Sequence, residues 1–242
     1  MHYKSFGSGD DIVFLHGWGG DISSFLFIAK QLSRSYKVTL LDFPAFGDSA
    51  EPETPFTVSD YAECVVQLLD DLKIDCATIV GHSFGGRVAM ELAMFYPKRV
   101  SALVLIDSAG LKPRRKLSYY LRLILHKSLK KCGCAGLKGS ADFQKLSPTM
   151  KETFKNIVNY DQTPLLKDIA QQTAIFWGKE DTETPPYMAK KLRRHIVHSE
   201  IFWLDGGHFA YISDSAKFYA ILCAFLHTMK IEEKAENKLV QP

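Results

Sequence analysis

Ser83 lies at the centre of Gly81-His82-Ser83-Phe84-Gly85, a G-x-S-x-G pattern between a short apolar strand and a helix. This pattern holds a serine on a strained strand-to-helix turn, with its hydroxyl above a sheet. The two glycines let the helix pack closely against neighbouring strands. The start of the helix directs unpaired N–H groups and the positive end of its dipole at the serine, which favours an oxyanion there. The pattern therefore predicts that Ser83 is a nucleophile.

A serine hydroxyl needs a base to take its proton, and the base needs a third group to fix its tautomer. Two later segments offer these partners. His208 follows the last apolar strand in a Gly-Gly-His loop, and Asp181 follows the preceding strand in Trp-Gly-Lys-Glu-Asp. We expect His208 to be the general base and Asp181 the orienting acid. Asp107 also follows a strand and is the alternative acid.

A second glycine-rich turn, His16-Gly17-Trp18-Gly19-Gly20, follows the apolar run 12–15. Such a turn exposes backbone N–H groups, and the amide of Trp18 could face a developing negative charge. Dinucleotide binding is disfavoured because no third glycine follows at the fingerprint spacing. Cys132 and Cys134 form a C-x-C without a second pair, which is a poor zinc site. We therefore expect neither a cofactor nor a metal.

Continuous apolar strands alternate with helical patterns along most of the chain. This alternation indicates an α/β fold with a mostly parallel sheet flanked by helices. Ligands of such sheets bind at the carboxyl ends of the strands, so Trp18, Ser83 and Asp107 should share one rim. The predicted strands are 12–15, 36–42, 79–80, 102–107, 173–177 and 200–204, and the predicted helices are 24–33, 58–72, 186–194 and 215–229. The polar tail 230–242 is expected to fray.

The alternation stops between residues 112 and 165, where apolar helical stretches occur without strands. We therefore expect residues 1–111 and 166–242 to form the core and residues 112–165 to form a helical insertion.

These motifs together resemble the α/β-hydrolase superfamily over nearly the whole chain. The resemblance rests on His16-Gly17-Trp18-Gly19, the loop 42–49, the glycine-rich turn 81–86, the segment 177–181 and Gly207-His208. It implies the roles given above for Ser83, Asp181 and His208, in the chain order expected for this fold. It also implies that the amides of Trp18 and Phe84 form an oxyanion hole. A serine at the turn excludes the dehalogenase and epoxide-hydrolase branches, which need an aspartate there.

The resemblance further implies that His16 and His82 shape the turns around the site. It implies as well that the insertion 112–165 is a small lid over the active site. The first glycine-rich turn and the small basic lid are similar to those of pimeloyl-acyl-carrier-protein methyl ester esterases and related carboxylesterases. The lid also resembles that of hydrolases that cleave carbon–carbon bonds in ring-fission products.

The lid is strongly basic. It contains twelve Lys and Arg against three acids, a difference of +9, whereas the whole chain carries +3 and the rest therefore −6. Three interpretations remain open. The charges could be a solvated helix face, or the segment 117–131 could be an amphipathic helix resting on an anionic membrane. Alternatively, the lid could dock an acidic acyl carrier protein. The residues that would bind the carrier are Arg114, Arg115, Lys116 and Arg122.

Composition bounds the remaining possibilities. The chain has 242 residues and 46% hydrophobic content, enough for one large core. A net charge of +3 gives no reason to expect a nucleic-acid partner. No signal peptide or membrane span is visible, and five scattered cysteines fit reduced thiols, so we expect a cytoplasmic protein. We expect a serine hydrolase of carboxylic esters; the alternatives are a carbon–carbon hydrolase and a non-catalytic binding protein with the same fold.

Overall fold

The computed structural model describes residues 1–112 and 141–240. Its strands are β1 (Tyr3–Phe6), β2 (Asp11–Leu15), β3 (Lys37–Leu41), β4 (Ala77–His82), β5 (Val100–Ile106), β6 (Gln172–Gly178) and β7 (Ser199–Leu204). They form one sheet in the order β1-β3-β2-β4-β5-β6-β7. Every neighbouring pair is parallel except β1 with β3. In the described part of the chain, β7 is an edge strand that pairs with β6 alone.

Helices cover both faces of this sheet. The α-helices of the described residues are α1 (Ser23–Leu32), α2 (Val58–Asp71), α3 (Phe84–Phe95), α4 (Ala141–Lys145), α5 (Pro148–Asn159), α6 (Tyr187–His195), α7 (Ala210–Ser213) and α8 (Ser215–Val240). One hydrophobic core packs α2, α3 and α6 against the sheet, and a second packs α1 and α8 against it. Because the central strands have apolar side chains on both faces, they require this double cover. The predicted α/β fold is confirmed.

Two local predictions were incomplete or wrong. Strand β1 was not predicted, because its sequence Tyr-Lys-Ser-Phe is largely exposed and carries little apolar signal. The tail was expected to fray from residue 230, but α8 continues to Val240. Good helix formers continue the pattern there. Lys230 Nζ also lies 2.8 Å from Asp10 Oδ2, which ties the middle of α8 to the loop before β2.

The parallel strands bring the predicted site residues to one edge of the sheet. Trp18 follows β2, Ser83 follows β4 and Asp107 follows β5. Asp181 and His208 come after β6 and β7. The five residues therefore reach the carboxyl edge from five different strands, as expected for a ligand site in an open α/β sheet.

Part of the predicted lid is described. Helix α5 is held over the body by Thr153, whose Oγ1 accepts a hydrogen bond from the Phe56 amide at 2.9 Å. Asn156 donates to the Phe56 carbonyl at 3.3 Å. The predicted carrier-binding residues Arg114, Arg115, Lys116 and Arg122 lie outside the described residues, as do Cys132 and Cys134. The division into a core and a lid at residues 112 and 165 stays a prediction.

Within the described ranges, no helix is both long enough and apolar enough to span a bilayer.

Candidate active site

Ser83 sits on a strained turn between β4 and α3. Its backbone angles are φ 50° and ψ −111°, a conformation that L-residues rarely adopt. Hydrogen bonds hold it there: its amide donates to the Ile106 carbonyl, and its carbonyl accepts from the Ala109 amide, both at 2.9 Å. A Cβ at Gly81 would overlap the Gly85 carbonyl, and one at Gly85 would overlap the Leu15 carbonyl. Both glycines are therefore needed for the helix to pass so close to the strands.

The hydroxyl of Ser83 lies beside His208, and His208 lies beside Asp181. The distance from Ser83 Oγ to His208 Nε2 is 2.9 Å, and the distance from His208 Nδ1 to Asp181 Oδ2 is also 2.9 Å. Both partner side chains are almost fully buried. With Nδ1 protonated toward the carboxylate, Nε2 is free to accept the serine proton. The structure thus brings these three predicted residues into one hydrogen-bonded chain.

Asp181 is held as a carboxylate. Its Oδ1 accepts hydrogen bonds from the amides of Glu183 (2.8 Å) and Thr184 (3.0 Å), and its Oδ2 lies 2.6 Å from the Thr184 hydroxyl. Burial alone would raise the pKa of Asp181, but hydrogen bonds from His208 and Thr184 outweigh burial and lower it. A fixed negative charge therefore faces His208.

Asp107, the alternative acid, forms no hydrogen bond with His208 in the described structure. Its side chain is fully buried, Oδ1 accepts from the Gly178 amide at 2.7 Å, and Oδ2 has no described partner. Burial, reinforced by the nearby charge of Asp181, raises the pKa of Asp107 to about 8. Asp107 is therefore a neutral acid at pH 7, and Asp181 is the carboxylate that contacts the base.

The predicted oxyanion donors, Trp18 and Phe84, lie in the turns that follow β2 and β4. Trp18 follows β2 beside the turn that carries Ser83, and Phe84 is the first residue of α3. Among the described residues, the amides of Trp18 and Phe84 donate to no protein acceptor. Both N–H groups are consequently available to a ligand, and an oxyanion hole formed by them stays a prediction.

His16 and His82 brace the two turns. His16 Nδ1 lies 2.7 Å from the Gly17 carbonyl, and its Nε2 accepts from the Phe43 amide at 3.0 Å. His82 Nε2 lies 2.8 Å from the carbonyl of His208, and the two rings are 4.9 Å apart. Since a carbonyl only accepts, His82 must donate from Nε2. Burial lowers the pKa of His82 to about 4, so the ring is neutral at pH 7.

Replacing His82 with leucine is expected to lower kcat about ten- to hundredfold, because the backbone of His208 loses its donor and the base shifts relative to Ser83. His82→Gln, which keeps an N–H near the same place, should recover most of that loss. Steady-state kcat and KM of both variants, with thermal melts, test this. Equal kcat losses in the two variants would contradict a positioning role for His82.

Aromatic rings line the space around Trp18. Its ring makes edge contacts with Phe46 (4.9 Å), Phe84 (5.5 Å) and Phe154 of α5 (5.2 Å). Phe154 in turn packs against Phe143 of α4 at 5.5 Å. The described part of the predicted lid therefore covers the first glycine-rich turn with an apolar, aromatic surface.

Two residues in the Asp181 loop were missed by the sequence analysis. The Thr184 hydroxyl lies 2.6 Å from Asp181 Oδ2 and 3.0 Å from the Asp107 carbonyl. Glu183 Oε2 lies 3.6 Å from His208 Nε2. The sequence offered no specific signal for either residue, because a threonine and a glutamate in a polar loop are ordinary surface residues.

Comparison with known proteins identifies the family. Residues 11–126 match the model of the alpha/beta hydrolase fold. The pimeloyl-[acyl-carrier protein] methyl ester esterase of Pseudoalteromonas atlantica is 30% identical over 252 residues, covering 89% of this chain and 93% of that protein. A meta-cleavage product hydrolase from Pseudomonas fluorescens IP01 has a TM-score of 0.74 and 21% identity, covering 93% of each chain. That likeness shows the fold alone.

A further relative is matched over part of its length. The dihydrolipoyllysine-residue acetyltransferase component of the acetoin cleaving system of Pseudomonas putida is 41% identical over 103 residues. The match covers 43% of this chain and 28% of that protein, so the chain spans little more than a quarter of it. The matched family model and the esterase relative, which is covered almost throughout, agree with the geometry at Ser83. The chain belongs to the α/β-hydrolase family.

Proposed function

We propose that this protein is a serine hydrolase of carboxylic esters. The observation that carries the proposal is the chain of hydrogen bonds from Ser83 Oγ through His208 to Asp181, with 2.9 Å at each step. A nucleophile, a base and an orienting carboxylate in this arrangement serve acyl transfer. The esterase relative supports an ester as the substrate.

The proposed reaction has two halves. Ser83 Oγ attacks the ester carbonyl while His208 Nε2 takes its proton, and the amides of Trp18 and Phe84 bind the resulting oxyanion. When the intermediate collapses, the C–O bond to the alcohol breaks and His208 returns the proton to the alcohol. Water, deprotonated by His208, then attacks the acyl-enzyme. The carboxylic acid is released and Ser83 regains its proton.

The substrate class follows from the surroundings of the site. The aromatic surface formed by Trp18, Phe46, Phe143 and Phe154 favours an apolar acyl chain of short or medium length. The specific candidate is a pimeloyl-[acyl-carrier protein] methyl ester, the substrate in the name of the relative that matches most of this chain. In that case the reaction belongs to biotin synthesis, and the basic lid docks the acidic carrier.

Reversing the charges of the lid tests whether an acidic acyl carrier protein docks there. Arg114→Glu, Arg115→Glu and Lys116→Glu together are expected to lower kcat/KM for a carrier-linked methyl ester at least about tenfold, because an acidic partner is then repelled. A small p-nitrophenyl ester needs no docking and should change by less than about twofold. The assay measures both esters and a ring-fission product side by side.

A matched control reverses three exposed charges elsewhere. Lys190→Glu, Arg193→Glu and Arg194→Glu on α6 make the same change in net charge. A loss specific to the lid variant supports docking through Arg114, Arg115 and Lys116. Equal losses in the two variants, or equal effects on both esters, would contradict it. Cleavage of the ring-fission product in preference to every ester would assign carbon–carbon hydrolysis instead.

A further inference from the structure

Glu183 places a carboxylate at the mouth of the proposed active site. Its Oε2 lies 3.6 Å from His208 Nε2, the atom that also lies 2.9 Å from Ser83 Oγ. The Glu183 amide donates to Asp181 Oδ1 at 2.8 Å, so the backbone of this residue is fixed to the acid. The side chain is 66% exposed and reaches back over the base from the solvent side. The charge is therefore beside the reacting atoms without being one of the three residues in the hydrogen-bonded chain.

A bound ester must lie within range of this charge. Its carbonyl carbon has to approach Ser83 Oγ to about 3 Å before attack. Since Glu183 Oε2 lies 3.6 Å from His208 Nε2, and Nε2 lies 2.9 Å from Ser83 Oγ, that carbon lies at most about 10 Å from the Glu183 carboxylate oxygen. At that distance and in a partly solvated site, two negative charges repel each other enough to change an equilibrium about tenfold, and salt weakens the effect.

We propose that Glu183 is a specificity-determining residue that selects esters without negative charge near the scissile bond and that repels the carboxylate product. The inference rests on the proposed ester hydrolysis and defines its substrate class. A neutral ester has no charge at the reacting end and binds without penalty. Hydrolysis turns that end into a carboxylate beside Glu183, so the product is expelled.

In the candidate reaction, the negative charge of Glu183 makes the site discriminate between the ester substrate and the acid product. In a carrier-linked methyl ester, the end that reaches Ser83 is uncharged before hydrolysis and anionic afterwards. Glu183 therefore disfavours rebinding of the free acid, although acid and ester differ by one methyl group. An apolar pocket alone discriminates weakly between ligands of such similar size.

The test compares two substrates that differ by one charge, p-nitrophenyl butyrate and mono-p-nitrophenyl succinate. Glu183→Gln is expected to raise the ratio of kcat/KM for the succinate to that for the butyrate about tenfold at low salt. Butyrate, the product, should also inhibit the variant at lower concentration. In the wild-type protein, raising the salt concentration from about 0.01 M to about 0.5 M should reduce the difference in kcat/KM between the two substrates.

Glu180→Gln is the matched control, because it removes the same charge from an exposed position in the same loop. That variant should keep the wild-type ratio. The inference would be overturned if the kcat/KM ratio were unchanged in Glu183→Gln, or if it rose equally in Glu180→Gln. It would also be overturned if the difference in kcat/KM between the two substrates did not depend on salt in the wild type. Each of these outcomes would leave ester hydrolysis in place. Failure of the wild-type protein to hydrolyse any ester would instead overturn the proposed function.

Discussion

Ser83→Ala is expected to lower kcat for ester hydrolysis by a factor on the order of 10⁴ to 10⁶, because the nucleophile of the first half-reaction is gone and no acyl-enzyme can form. The remaining rate would come from substrate binding and the N–H groups of the oxyanion hole. The fold should survive, since the Ser83 hydroxyl bonds to His208 alone among the described residues. Single-turnover and steady-state assays with a p-nitrophenyl ester measure the loss.

A fluorophosphonate probe provides the control, since it reacts with an activated serine without needing the true substrate. The wild-type protein should be labelled at Ser83 and the Ser83→Ala variant should not. Absence of label on the wild-type protein would favour a non-catalytic binding protein over an enzyme. Equal labelling of both proteins would place the nucleophile at another serine.

Asp181→Asn is expected to lower kcat on the order of 10⁴-fold. An amide would donate a hydrogen bond to His208 Nδ1 where the carboxylate accepts one, so the imidazole would carry its proton on Nε2 and could not take the serine proton. Asp107→Asn should keep kcat within about threefold, because Asp107 makes no described contact with His208. The kcat values of the two variants decide which aspartate is the acid, and a larger loss in Asp107→Asn would reverse the assignment.

The Asp107→Asn variant should also change the pH dependence of stability. Burial raises the native pKa of Asp107 to about 8 from 3.8, so the native state binds this proton more tightly than the unfolded state. The resulting stabilisation is complete below about pH 4 and is lost as the pH rises toward 8. The asparagine side chain of the variant has no proton to lose in this range.

The free energy of unfolding of Asp107→Asn, relative to that of the wild type, should therefore increase as the pH rises through this window. The upper limit of this increase is about 1.4 kcal/mol per pH unit. Urea unfolding at several pH values between about 4 and 8 measures the difference. A constant difference across this range would show that Asp107 has the same ionisation in the native and unfolded states, and that burial does not raise its pKa.

Sequence patterns predicted the elements of the fold because apolar periodicity reflects burial. The central strands are continuous apolar runs buried on both faces, so they could be recognised without a structure. The strand-to-helix turn that carries Ser83 could be recognised because the close approach of α3 to β2 and β4 excludes a side chain at Gly81 and Gly85. Strand β1 was not predicted because an exposed edge strand has no comparable apolar pattern.

The site was predicted less completely than the fold. Sequence patterns predicted that Trp18, Ser83 and Asp107 share one rim. Asp181 also follows a strand, so two aspartates were candidates for the acid. Only three-dimensional contacts separate them: Asp181 accepts from His208, whereas Asp107 accepts from the Gly178 amide. Glu183 was beyond prediction because its significance depends on the direction of one exposed side chain. Nothing in the residue type or its spacing shows that direction.

The position of β7 has a consequence for how the molecule responds to heat. His208 is carried by the loop after this edge strand, whereas Ser83 is carried by β4, which has paired strands on both sides. Edge elements open locally at a lower free energy than the centre of a sheet. A brief separation of β7 from β6 would move the base away from its serine while the rest of the sheet stays intact. We therefore expect thermal inactivation of this protein to begin with the opening of β7 and to precede the loss of the fold.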